Sequence, residues 1–287
     1  MILIAESGST KCDWVLLDKQ GTEIDRWNTM GFNPYFHSAE KVAEELRASA
    51  LSVWADQVQQ TWFYGAGCSS DPLKAIIKAG LDAVFINAQN HVDHDLNASA
   101  YALYQGEPVI ACILGTGSNS CYFDGQTVSE EVPALAYILG DEGSASYIGK
   151  RLVADFLYHR LPPHLYKDFD RTYKVSKEEV VKRVYSMPHA NVYLASFGPF
   201  AGKHSEDPYI RDIVREGVRK FIDIHVLCFQ DAPNVPVSFV GSVAKAFESI
   251  LIEELHRVNL RFGRVLAKPV NNLVAYHINI LGVLEHT

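Results

Sequence analysis

The sequence predicts an α/β fold in two related halves, on three observations. Apolar strand-like runs alternate with helical patterns from end to end, and the strands read as continuously apolar, as in a sheet buried on both faces. The chain has 287 residues, enough for about two domains and a sizeable core. One short motif occurs twice, once in each predicted half.

The elements follow in order. Met1–Ala5 is a short apolar run, and Asp13–Asp18 and Thr22–Asn28 read as strands joined by a turn at Gly21. Ser38 caps an expected helix to about Trp54, with Val42, Leu46, Leu51 and Val53 as core positions. Thr61–Tyr64 is a strand closed by Gly65 and Gly67; Pro72–Gly80 is helical, Ala83–Ile86 a strand and Leu96–Tyr104 helical. Pro108–Leu114 is a fully apolar strand.

The second half is more helical. Helices are expected at Ser144–Tyr158, after a Ser176/Glu179 capping box, at about Tyr209–Phe229 and at Val243–Val258, with a strand at Val235–Val240. Pro162–Val175 reads as an irregular, charged surface connection.

The repeated motif is Glu-Ser-Gly-Ser-Thr-Lys-Cys-Asp-Trp at 6–14 and Gly-Thr-Gly-Ser-Asn-Ser-Cys-Tyr-Phe at 115–123. Gly8 matches Gly117, Ser9 Ser118, Cys12 Cys121 and Trp14 Phe123, always 109 residues apart. Each copy follows an apolar strand and enters another, which suggests a duplicated fold with two similar loops facing each other. A Gly/Ser turn offers close-spaced backbone N–H groups and small hydroxyls, an anion nest that lets a phosphate approach the backbone. Either loop alone could be a plain β-turn. The Walker A pattern is absent, and each loop enters a strand rather than a helix, which excludes a Rossmann fingerprint.

Two further segments join these loops. Gly140-Asp141-Glu142-Gly143-Ser144 stands at a helix N-terminus, where acidic residues also suit the helix dipole. Val240-Gly241-Ser242-Val243-Ala244-Lys245 follows an apolar strand and opens a helix.

Composition narrows the function. With 26 basic and 34 acidic residues the net charge is −8, a poor balance for binding nucleic acid. No apolar run is long enough to span a membrane, and MILIAESGSTK lacks the basic start of a signal peptide. A cytoplasmic location is expected. The five cysteines include no C-x-x-C pair, so buried free thiols are expected rather than disulfides or a zinc ribbon.

The four segments, in their order and spacing, resemble the sugar kinase–Hsp70–actin superfamily. Within it they are most similar to N-acetylglucosamine kinases, grouped with the ATPase subunits of benzoyl-CoA reductase. Leu-Gly-Thr-Gly-Ser-Asn (114–119), Gly-Asp-Glu-Gly-Ser (140–144) and Gly-Ser-Val-Ala-Lys (241–245) together carry the resemblance, which covers nearly the whole chain. It implies a duplicated actin-like, ribonuclease H-like fold of two domains with the active site in the cleft between them. The implied domains are residues 1–107 with 270–287 returning as a C-terminal helix, and residues 108–269.

The resemblance also implies site residues. Gly8, Ser9 and Thr10 would hold the phosphates of ATP, with Glu6 helping to hold Mg²⁺ through water. Gly115, Thr116, Gly117 and Ser118 would form the second phosphate loop, and Gly241 and Lys245 the adenosine segment. Asn33, in Gly31-Phe32-Asn33-Pro34, would contact the sugar, as would Asn119, Asp141 and Asp95. Asp95, which opens a helix thirteen residues before the strand leading to the second loop, would be the catalytic base. His91, Asp93 and His94 beside it also invite a metal-site reading, which their crowding disfavours.

The chain departs from the family at one place. N-acetylglucosamine kinases typically carry Gly-Trp-Gly before the Gly-Asp-Glu-Gly segment. Here Ala134-Leu135-Ala136 stands instead, so Leu135 and Ala136 would line an altered sugar pocket. The expected activity is ATP-dependent phosphorylation of an amino sugar or related hexose at the 6-hydroxyl, with domain closure excluding water. The rival readings are an ATPase that drives a protein partner and a non-catalytic sugar sensor. The cysteines form no cluster pattern for an electron donor, and no DNA-binding segment precedes Met1–Ala5, which disfavours a repressor. The expected partners are ATP and a small sugar, with no nucleic acid or membrane; a homodimer stays open.

Overall fold

A computed structural model describes residues 1–279; the end of the expected returning segment, 280–287, lies outside the described residues. The chain forms two compact units, Met1–Leu103 with the segment from Lys268, and Tyr104–Ala267. Each holds one five-stranded sheet and its own apolar core.

In the first unit β1 (Ile2–Ser7), β2 (Lys11–Leu17), β3 (Glu23–Met30), β4 (Gln60–Gly65) and β5 (Gln89–His94) lie in the order β3-β2-β1-β4-β5. The hairpins β1–β2 and β2–β3 are antiparallel, whereas β4 and β5 join β1 in parallel. The parallel crossovers use α1 (Ala39–Ala48) and α2 (Asp71–Asp82), and α3 (Asp95–Leu103) follows β5 directly.

The second unit repeats this plan. Its strands β6 (Val109–Leu114), β7 (Ser118–Phe123), β8 (Val128–Ser129), β9 (Val237–Val240) and β10 (Phe262–Leu266) lie in the order β10-β9-β6-β7-β8. Pairing directions match those of the first unit strand for strand. Between β8 and β9 runs a helical insertion: α4 (Ala136–Leu139), α5 (Ala145–Leu157), α6 (Pro163–Tyr173), α7 (Lys177–Tyr185), α8 (Ala190–Ala195), α9 (Gly198–Lys203) and α10 (Pro208–His225). After β9 come α11 (Ser242–Ala246) and α12 (Glu248–Arg257), and α13 (Val270–Asn279) belongs to the first unit.

Four elements differ from the sequence expectation. Ala83–Ile86 is a turn, not a strand: Phe85 N–H returns to the Leu81 carbonyl and its ring is fully buried. The strand is the polar Gln89–His94, a half-buried edge strand whose residues carry no apolar signal. Pro162–Val175 is not irregular but contains α6, started by Pro163 and anchored by buried Leu165 and Phe169, four residues apart on one face. The first expected helix breaks at Ser49, whose side chain caps a short 3₁₀ turn over Ala50–Trp54. The last expected helix splits at Phe247 into α11 and α12. The Ser176 cap is present, its hydroxyl accepting Glu179 N–H at 3.2 Å.

Helix α13 is locked into the first unit through His277, which is 1% exposed and shares a 2.9 Å hydrogen bond with the Tyr64 hydroxyl. Burial, aided by His91, pulls its imidazole down to about 4. Between the ordinary histidine value and pH 4 the unfolded chain takes up a proton that the folded chain refuses. Stability is therefore expected to fall as pH drops through that window, by up to about 3 kcal/mol. His277→Gln, which keeps an acceptor for Tyr64, should flatten the slope of unfolding free energy against pH between 6.5 and 4; an unchanged slope removes His277 as its source. No helix among the described residues is long and apolar enough to cross a membrane.

Candidate functional site

In each unit the candidate loops leave the C-terminal ends of the parallel strands, the edge at which open α/β sheets bind ligands. In the first unit β1, β4 and β5 end in register at Ser7, Gly65 and His94. The first Gly/Ser loop, the Gly65–Gly67 turn and Asp95 follow these ends directly.

The first loop, Gly8-Ser9-Thr10, is closed by Gly8 N–H donating to the Lys11 carbonyl at 3.0 Å. The space beside the Gly8 Cα is open: a Cβ there would meet nothing nearer than 3.9 Å. Gly31 and Phe32, just before Asn33, are docked against this loop. Phe32 N–H donates to Ser7 Oγ at 2.9 Å. A Cβ on Gly31 would lie 2.1 Å from the Gly8 carbonyl oxygen, so only glycine lets the two backbones touch.

Glu6 and Asp13 are cross-strand partners on β1 and β2. Burial first, then the Asp95 and Asp13 carboxylates, push the Glu6 carboxyl up to about 8; Lys11 and Lys268 pull it the other way. Asp13 is 5% exposed and lies 3.4 Å from Lys11 Nζ and 3.9 Å from Lys268 Nζ. Asp95 opens α3 immediately after β5, with His94 Nε2 at 3.3 Å from its Oδ1. The neighbours that invited a metal reading are otherwise engaged. Asp93 binds Lys74 at 2.7 Å and Asn97 at 2.6 Å, and His91 stacks on Trp62.

In the second unit β6, β9 and β10 are parallel and end at Leu114, Val240 and Leu266. The loop Gly115-Thr116-Gly117 turns back with Gly115 N–H on the Gly117 carbonyl at 3.0 Å, and nothing lies within 4 Å of a Cβ placed on Gly115. The start of α5 clasps this loop: Ala145 N–H donates to Gly115 O at 2.8 Å and Ser146 N–H to Thr116 O at 3.1 Å.

Asp141 is buried and left-handed at φ 57°, a conformation costing about 1–3 kcal/mol in a non-glycine residue. Its Oδ1 accepts Ser118 N–H at 3.1 Å, and burial raises its carboxyl. A Cβ on Gly117 would sit 2.7 Å from the same Oδ1. The Ser118 hydroxyl is buried beside this pair and has no hydrogen-bond partner. Gly241, at φ 122°, presses on the loop from β9: a Cβ there would lie 2.2 Å from the Leu114 carbonyl oxygen.

The remaining predicted residues are less closely gathered. Asn119 donates to Glu130 at 3.3 Å, and Lys245 pairs with Glu248 at 2.7 Å. Leu135 and Ala136 abut the Gly-Asp-Glu-Gly segment, where Gly140 N–H donates to Ala136 O at 2.7 Å, and both are exposed. Ala136 is left-handed, at φ 57°. Glycine at this exposed position relieves that strain, so Ala136→Gly is expected to stabilise the fold by about 1 kcal/mol in chemical denaturation. A loss of stability contradicts this backbone geometry.

The sequence reading missed Asp13 and Gly31. The signal for Asp13 was there, an acid within the apolar strand Cys12–Leu17; Gly31 needs the three-dimensional contact.

No family model matches the chain, and no curated protein matches it. Among solved structures it is similar to a Porphyromonas gingivalis protein named "putative N-acetylglucosamine kinase". The two are 34% identical over 98% of this chain and 100% of that one, with a TM-score of 0.91. A Chromobacterium violaceum protein of the same name is 16% identical over 96% of this chain and 98% of that one, with a TM-score of 0.73. A ROK-family glucokinase from Streptomyces griseus, solved with glucose and AMPPNP, is 17% identical over 96% and 97%, with a TM-score of 0.58. The last two share the fold. The first, at 34% identity over nearly the full length of both chains, shows that this chain belongs to the N-acetylglucosamine kinase family, and its two repeated α/β units are the actin-like fold of the sugar kinase–Hsp70–actin superfamily.

Proposed function

We propose that the chain is an ATP-dependent sugar kinase that phosphorylates the 6-hydroxyl of an amino sugar or related hexose, N-acetylglucosamine or glucosamine foremost. One observation carries this reading: in both units the family's loops stand at the C-terminal edge of the parallel strands, with backbone open beside Gly8 and Gly115. Asp95 accepts the hydroxyl proton as the sugar oxygen attacks the γ-phosphorus in line. Asn33, Asn119 and Asp141 hold the sugar. The loops Gly8–Thr10 and Gly115–Ser118 hold the phosphates, through N–H groups other than those of Gly8, Gly115 and Ser118, which are engaged within the protein, and Gly241 and Lys245 serve the adenosine. Positioning and electrostatics suffice for a loose phosphoryl-transfer transition state.

The residues fit ATP and Mg²⁺. The buried, unpartnered Ser118 hydroxyl supplies a donor where a phosphate would lie. Among the described residues no three His, Cys or acidic side chains are grouped to hold a metal directly. That suits Mg²⁺, which keeps waters and takes ligands from phosphates. Glu6 would hold it through water, and the ion would neutralise charge on the phosphoryl oxygens.

The test is ADP release across glucosamine, N-acetylglucosamine, N-acetylmannosamine and glucose. Leu135 offers no indole N–H and a smaller wall than tryptophan, and such a lost contact is worth roughly ten- to a hundredfold in selectivity. N-acetylglucosamine should be preferred over glucose by less than about a hundredfold in kcat/KM. Preference above about a thousandfold contradicts a pocket weakened at Leu135.

A further inference from the structure

We propose that His37 is a positioning residue for the sugar site, holding Asn33 so that its side-chain N–H groups, not its side-chain oxygen, meet the sugar. This rests on the reading of Asn33 as a sugar contact. Asn33 N–H donates to His37 Nδ1 at 3.1 Å. The Asn33 carbonyl accepts Phe36 N–H and His37 N–H, both at 3.0 Å. Asn33 Oδ1 accepts Tyr35 N–H at 3.0 Å. The backbone N–H, the carbonyl and Oδ1 are thus all engaged within one turn, and Nδ2 is the group left to face a ligand.

The amide is also held sterically. A Cβ on Gly67 would lie 2.6 Å from Asn33 Oδ1 and 3.1 Å from Nδ2, so the amide lies against glycine backbone. Pro34 restricts the Asn33 backbone from the other side. On the near side Ser7 Oγ fixes Phe32 N–H at the root of the first loop. His37 closes the far end of the same turn. Its imidazole supplies the acceptor for Asn33 N–H, and without it that half-buried donor is orphaned and the aim of Nδ2 relaxes.

Steady-state kinetics of the full chain, with N-acetylglucosamine as the probe, test the proposal. His37→Leu is expected to raise the sugar KM by about tenfold, the scale of one hydrogen bond, with kcat and the KM for ATP near wild type. His37→Asn, whose Oδ1 takes the place of Nδ1, should restore the sugar KM. Asn33→Asp keeps the acceptor for Tyr35 N–H but loses the donors, and should raise the sugar KM at least as far as His37→Leu. If the leucine variant fails to fold, His37→Gln replaces it, because its oxygen reaches the place of Nε2 instead. A wild-type KM in His37→Leu, or His37→Asn as poor as His37→Leu, overturns the proposal while leaving Asn33 in place. An unchanged sugar KM in Asn33→Ala, or a wild-type chain that neither binds nor turns over N-acetylglucosamine, overturns both.

Discussion

Asp95→Asn is expected to lower sugar phosphorylation by roughly 10²–10⁴-fold, the usual range for removing a general base. Asparagine has the same size and suits the start of α3, so the fold should not change. What it lacks is a site for the hydroxyl proton. Asp95 lies at the C-terminal end of β5, and its charge is felt by Glu6 on β1. Its loss removes one of the carboxylates that raise the Glu6 carboxyl, which does not oppose cation binding. The KM for ATP should therefore stay close to wild type while kcat collapses. Wild-type turnover in the asparagine variant removes Asp95 from the mechanism.

Gly117→Val is expected to weaken nucleotide binding by roughly ten- to a hundredfold, the scale of a lost charge-assisted hydrogen bond. The obstacle is specific. The first side-chain carbon would fall 2.7 Å from Asp141 Oδ1, the oxygen that accepts Ser118 N–H. Valine must displace a buried carboxylate held in a left-handed backbone, and the loop clasped by Ala145 and Ser146 moves with it. Because Asp141 is also a proposed sugar contact, sugar affinity should fall too, but less than nucleotide affinity. Calorimetry on the folded variant checks this. Intact ATP affinity reduces the second loop to a turn.

Much of this was legible in the residues because glycine is read by what it permits. Gly117 and Gly241 mark places where backbone meets something closely, and the structure shows what they meet, Asp141 and the Leu114 carbonyl, whereas Gly8 leaves open space. The duplication was legible too, although not in its true alignment. The echo pairs residues 109 apart, whereas β1 begins at Ile2 and β6 at Val109, a spacing of 107. Gly8 accordingly opens its loop and Gly117 closes the other. Short Gly/Ser motifs reveal that a turn exists, but strand register is set by pairing along the whole hairpin.

What stayed hidden was polar or non-local. Strand β5 reads Gln-Asn-His-Val-Asp-His and lies at a sheet edge, so no apolar pattern announces it. Without β5, Asp95 looked like a helix cap, and its place at the end of a parallel strand was invisible. The pairing of Glu6 with Asp13 needs the β1–β2 register, and the need for glycine at 31 needs the touch between two segments distant along the chain.

The most direct test of the central claim is phosphorus NMR of the wild-type chain incubated with Mg²⁺, ATP and N-acetylglucosamine. The account predicts a sugar 6-phosphate monoester accumulating in step with ADP, and no net ATP loss when the sugar is left out. ADP formed together with inorganic phosphate alone, at the same rate with or without sugar, contradicts it and makes the chain an ATPase.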